Sequence, residues 1–169
     1  MVLKVLIETI IVTLLFEGFV VAVILKKGPM FMISDYPPAI KKRVVELGMM
    51  PDEKQIAKEG RINDIIGFTL MAVLYLVPII VINGERTFLP AFIQSYIFGN
   101  AISWFDALVL DCLWFCHSKF CVIKGTEDMT EEYKDYRFHI KFAVQGIVLL
   151  AVPSAIIGGI TALVGLILK

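Results

Sequence analysis

The sequence predicts an all-α integral membrane protein with four transmembrane helices, at about 3–25, 65–82, 88–121 and 139–168, and short interfacial helices in the 26–64 connection. Three observations predict it. Hydrophobic residues make up 58% of the chain, and the mean hydropathy is +0.81, far above an ordinary soluble domain. Apolar runs long enough to cross about 30 Å of hydrocarbon occur four times. Lys and Arg gather in two of the connections between those runs. The whole chain reads as one membrane domain, 1–169, with an amphipathic connection at 26–64 and a polar loop at 122–138.

The first run, Leu3 to Leu25, holds Glu8 and Glu17 and meets the basic "LKKGPM". With no small-residue cleavage site behind it, it is expected to be a retained span rather than a signal peptide. Glu8 is expected near one surface, in contact with solvent. In the connection that follows, "DYPPAIKKRVVELG" has a Pro-Pro opening, Ile40, Val44 and Leu47 on one side, and Gly48 as a stop. "MPDEKQIAKEG" repeats that plan, from Pro51 to Gly60. Lys41, Lys42 and Arg43 suit contact with anionic lipid head groups, or simply set topology.

The second and third spans are joined by "INGERT", a tight Asn-Gly turn, with Pro90 in the first turn of the third. The third pattern continues through Cys121, as a helix extending past the membrane or tilted within it. The fourth span opens at His139 and Lys141. Its "SAIIGGITALVG" supplies small residues for close packing, within the bundle or between protomers. The 26–64 and 119–138 connections carry most of the basic residues, which places them in the cytoplasm of a multi-pass cell-membrane protein, with both termini outside.

Chemistry-bearing residues crowd the basic side. Counting about 1.5 Å per residue from Phe88 sets Asp106 and Asp111 around the cytoplasmic interface. Glu17 lies deeper, one turn after Thr13, and Asp64 opens the second span. Intramembrane carboxylates are costly and mark proton, metal or cationic-ligand sites. The alternatives are interfacial solvation or ion pairs with Lys119, Lys124 or Arg137 for the aspartates, a packing hydrogen bond for Glu17, and an ordinary interfacial place at a helix start for His139. Asp106, Asp111, His139 and Glu17 are the candidate catalytic residues. Asn100, Trp104, His117, Glu127 and Asp128 are candidates for ligand binding. On an α-helical wheel Asp106 shares a stripe with Ser103, Leu110, Leu113 and His117. Asp111 falls on another, with Asn100, Trp104 and Ala107, so a site must draw on several segments.

The spacing C-x3-C-H-x3-C, from Cys112 to Cys121, invites a metal. A reducing cytoplasmic face and a single compact cluster favour three small buried hydrophobes instead. Carboxylates with His139 would suit a divalent cation as cofactor. Sixteen basic and sixteen acidic residues cancel, which gives no electrostatic bias towards nucleic acid.

Three function classes fit: a membrane enzyme or binding protein for a lipid-like or amphipathic ligand in an acidic, His-containing vestibule; a small transporter; and a scaffold or accessory subunit. The transporter would use Glu17, Thr13, Thr69, Asn100 and Gln145, and so small a chain would work as a homo-oligomer. No catalytic sequence motif selects among the classes.

Overall fold

The computed structural model describes the backbone of residues 2–51 and 53–168, without the side chains of 53, 55–60, 63 and 64. The side chain of Asp64 therefore lies outside what is described, and its backbone falls within a helix. Among those described, the secondary structure is helical and contains no strand. In order come α1 (Val2–Lys27), a 3-10 segment (Pro29–Asp35), α2 (Pro38–Glu46) and α3 (Glu53–Leu76). α4 (Phe88–Phe105), α5 (Thr130–Tyr133), α6 (Tyr136–Leu149) and α7 (Ala151–Ile167) complete the chain. Four stretches are long and apolar enough to cross a membrane: Val2–Lys27, Ile65–Ile82, Phe88–His117 and Thr130–Ile167.

α1 shows which solvent the bundle is built for. Its buried residues are Glu8, Thr9, Val12, Thr13, Glu17 and Ile24, while Leu3, Leu6, Ile7, Ile10, Ile11 and Leu14 are exposed. Polar groups turn inward and aliphatic ones outward, the reverse of a soluble helix, because hydrocarbon offers polar side chains no partners.

α4 is the centre of the bundle, packed along α7 and α1. Small residues permit the approach. A Cβ at Gly158 would stand 3.0 Å from the Phe88 carbonyl oxygen, and one at Gly146 would stand 3.1 Å from Ser103 Oγ. Ser154, Gly158 and Thr161 are buried on α7, so these residues of the small-residue run serve the bundle itself. Nothing lies within 4 Å of a Cβ built at Gly159.

Several sequence expectations need correction. α3 runs unbroken from Glu53, so Gly60 does not stop a separate interfacial helix; one missing Cβ costs only about 1 kcal/mol in a helix. The third span ends at His117 rather than Cys121. Ser118 is extended (φ −85°, ψ 122°), and its side chain caps a separate turn, Lys119–Cys121, by accepting from Phe120 N. Within the last stretch the long helix α6 begins at Tyr136, where Asp135 caps it by accepting from Phe138 N at 3.1 Å.

The third span also changes its winding. From Asp106 to Trp114 it is π-helical, and the Phe115 N–H at its end is shared between the carbonyls of Asp111 and Leu110, four and five residues back. A second π-helical turn, Val77–Ile82, ends α3. There Pro78 has no N–H to give to the preceding turn.

Beyond the spans, the two large connections fold together into a cap. Ile40 and Val44 of α2 are fully buried against Tyr36, Phe115, Ile123 and Tyr133. Tyr36 Oη donates to the Cys121 carbonyl at 2.8 Å. Tyr133 Oη accepts from Ile123 N at 2.9 Å and lies 2.7 Å from Thr126 Oγ1. Cys116 and Cys121 belong to this core, and all three cysteines are buried free thiols.

Candidate functional site

A cavity of about 440 Å³ lies under this cap, lined by residues of all four spans and the 3-10 segment and open on one side. α1 contributes Phe16, Glu17 and Val20, and the 3-10 segment contributes Met32, Ser34 and Asp35. Met71 and Tyr75 come from α3, and Gly99, Ile102 and Ser103 from α4. Asp106 and Asp111 come from the π-helical turn, and Phe138, His139 and Phe142 from α6, with Leu150 closing the list of walls.

The π-helical turn accounts for the two aspartates meeting there. In an α-helix, residues five apart point about 140° away from each other. A π-helical turn takes more residues per revolution and swings the two towards one side, and both line the cavity. The two-stripe reading of Asp106 and Asp111 is thus corrected by the backbone itself.

His139 is 4% exposed and its Nδ1 is 3.0 Å from Asp111 Oδ2. Asp111 therefore pairs with His139, not with Lys119, Lys124 or Arg137. Phe115 and Phe138 pack edge-on against the imidazole, at 5.4 and 5.3 Å between centroids. An ionised Asp111 keeps the ring proton on Nδ1 and leaves the Nε2 lone pair free. Nε2 is buried and has no partner within the protein.

Three more buried polar atoms of this cavity are unpaired: both carboxylate oxygens of Glu17, which is 3% exposed, and the hydroxyl of Tyr75. A buried group left without a hydrogen bond costs about 1–3 kcal/mol.

Asp35 stands at the open mouth. Although one side faces out, the protein crowded around it raises its carboxyl above the ordinary range, and Asp111 adds to the effect. The Ser34 hydroxyl, which donates to Asp35 Oδ1 at 3.3 Å, opposes the rise, as do Lys41 and His139.

The chain matches no family model, no curated protein and no solved structure. What it can do has to be read from its own geometry.

Of the sequence candidates, Glu17, Asp106, Asp111 and His139 line the cavity, and the other five do not. Asn100 donates to the Tyr96 carbonyl at 2.9 Å, a bond within its own helix. Trp104 is half-buried away from the cavity. His117 is exposed and stacks on Tyr136. Glu127 accepts from Gly125 N in its own turn, and Asp128 is exposed. These two sit in the cap loop, whose Gly125 lies against Leu47 at the end of α2.

Among the proposed transport positions, Thr69 and Gln145 are on the exposed surface, and Thr69 Oγ1 is spent on the Ile65 carbonyl. Neither lines the cavity. Among the described residues, no three His, Cys, Asp or Glu side chains form a group that could hold a metal ion. The Cys112–Cys121 run serves packing.

Sequence reasoning missed Asp35, Tyr75 and Ser103. Asp35 lay in plain view before Pro37 and Pro38 but outside any span. Tyr75 is a lone hydroxyl in an apolar run, a signal that was available.

Expected solvation of Glu8 is also wrong: the residue is 8% exposed. Its Oε2 accepts from Gln94 Nε2 at 2.6 Å and from Asn83 Nδ2 at 3.1 Å.

Proposed function

We propose that this membrane protein binds an amphiphilic ligand with a cationic or hydrogen-donating head in the cavity under the cap. The observation that carries the proposal is the pair of unpartnered Glu17 carboxylate oxygens, buried in a wall that also holds Asp35, Asp106 and Asp111. Four carboxyl groups face one imidazole, and a cation among them would favour their ionised forms, which crowding and burial otherwise disfavour. Phe16, Val20, Met71, Ile102, Phe142 and Leu150 provide the apolar surface for a tail, and the volume is in the range of small-molecule pockets.

The cap faces the cytoplasm in this reading, because the connections that build it carry the basic residues. Contact with anionic lipid rests chiefly on Lys42. Lys41 donates to the Ser34 carbonyl at 2.9 Å and lies over Phe138, and Arg43 pairs with Glu46 at 3.8 Å.

The test is binding of a long-chain alkyltrimethylammonium probe to the purified protein in a non-ionic detergent, against an alkyl sulfate of equal chain length. Saturable binding of the cation alone, weakened at least tenfold in Glu17→Gln, supports the proposal. Equal uptake of both probes overturns it.

One observation favours a second reading. An imidazole held by a carboxylate on Nδ1 and free at Nε2 is the arrangement of a general base, so the dyad could also take a proton from a bound substrate. Conversion of a bound amphiphile that stops in His139→Gln would establish this reading.

A further inference from the structure

At the opposite end of α1 from the cavity lies a second buried polar group, made by Glu8, Asn83 and Gln94. Asn83 Nδ2 donates to Glu8 Oε2 at 3.1 Å and to Gln94 Oε1 at 3.2 Å, while Gln94 Nε2 donates to the same Glu8 oxygen at 2.6 Å. Both amides thus serve Oε2. Glu8 Oε1 and Asn83 Oδ1 are buried with no partner. The unsatisfied atoms of this group are therefore oxygen acceptors, carrying between them a single formal negative charge.

Two cations lie close in sequence, and both are engaged elsewhere. Lys4 Nζ, one turn before Glu8, is 3.4 Å from the Ile82 carbonyl. Arg86 donates to the Ile80 and Glu85 carbonyls at 2.9 and 2.7 Å. No ion pair to Glu8 is found among the described residues. Asn83 is fixed by its backbone, since its N–H donates to the Pro78 carbonyl at 2.9 Å and closes the π-helical turn.

We propose that Glu8 Oε1 and Asn83 Oδ1 hold an alkali-metal ion, with sodium as the reference species. Carboxylate and amide oxygens suit a hard cation. One fixed charge balances a monovalent ion, whereas a divalent ion would leave net charge in apolar surroundings. The site is separate from the cavity: Glu8 precedes Glu17 by about 13 Å along the helix axis.

The experiment compares the melting midpoint of the full chain in detergent in sodium, potassium and choline chloride at equal ionic strength, alongside equilibrium binding of radioactive sodium. A rise of several degrees with an alkali ion over choline, and saturable uptake near one ion per chain, are expected. Both persist in Glu17→Gln and vanish in Glu8→Gln. Equal midpoints with no sodium uptake by the wild-type chain overturn the proposal, whatever the folding of the variants, and leave the group as a hydrogen-bonded packing contact. Loss of the sodium effect in Glu17→Gln also overturns it, by moving the ion to the cavity. Failure of alkylammonium binding bears only on the proposed function.

Discussion

Asp111 and His139 come from different spans and meet at 3.0 Å inside a wall of aromatic rings. The contact ties the π-helical turn of the third span to the first turns of α6, so it fixes the shape of the cavity as well as the imidazole's proton. Asp111→Asn should keep the size of the side chain and lose control of the tautomer. The imidazole NMR signals of His139 should report a changed Nδ1/Nε2 proton preference, with binding of the alkylammonium probe weakened several-fold. An unchanged tautomer and unchanged affinity would show that Asp111 only fills space.

The cap makes a stability prediction. Tyr133 Oη accepts the buried Ile123 N–H and meets Thr126 Oγ1. Tyr133→Phe keeps the ring packed against Tyr36 and Phe115 but leaves that N–H unsatisfied. It should cost about 1–3 kcal/mol, seen as a lower melting midpoint and faster amide exchange at Ile123. Exchange as slow as in the wild type would show that the cap does not depend on this bond.

Asp35 gives a pH dependence. Its carboxyl is raised by its crowded surroundings, so ionising it works against the folded state. The stability contributed by the neutral acid is present below the ordinary carboxylate range and is lost as pH rises through the raised value. A bound cation reverses this preference by stabilising the ionised form. Alkylammonium binding should therefore strengthen with rising pH across the acid range and release protons as it does so. Asp35→Asn should reduce both effects. Asp111, Lys41 and His139 also act on this carboxyl, so the comparison is made against Asp111→Asn. A pH profile identical in wild type and Asp35→Asn would remove Asp35 from the site.

Orientation is tested by labelling. Lys54 and Thr87 are both exposed and lie at opposite ends of the second span. With Cys112, Cys116 and Cys121 replaced, a cysteine at Thr87 should react with a membrane-impermeant reagent in intact cells, and one at Lys54 should not. The reverse pattern would put the cap and the mouth of the cavity outside.

The four spans were legible because apolar length is a property of consecutive residues. Glu17 and Asp106 stood out for the same reason, as carboxylates in oily runs. Legibility failed where the chain folds back over distance. Asp35 reaches the mouth because Tyr36 bonds to Cys121 in a core assembled from two separated connections. Glu8 finds its partners at Asn83 and Gln94, on the far side of a span and a turn. The α-to-π change at Asp106 was hidden in another way. It alters the angle per residue without a proline or glycine inside the segment to announce it, so a wheel drawn at 100° put Asp111 on the wrong face.

Asp106 carries the most direct test of the cavity as the working site. Its carboxylate lines the wall with Glu17 and His139, and among the described residues no basic side chain forms an ion pair with it. An unpaired charge in such surroundings costs several kcal/mol, and a cationic occupant would offset that cost. Asp106→Asn keeps the shape and removes the charge. The variant should insert and fold with a melting midpoint at or above the wild type, because a half-buried carboxyl crowded by other carboxyls has been replaced by a neutral amide, yet bind the alkylammonium probe at least tenfold more weakly. Asp135→Asn is the control. Asp135 caps α6 through Phe138 N in the polar loop, and Asn caps a helix about as well as Asp, so this variant should change neither quantity. If Asp106→Asn binds the probe as tightly as the wild type, the charge of the cavity does not select its ligand, and the scaffold reading, in which the capped connections hold a partner, becomes the stronger one.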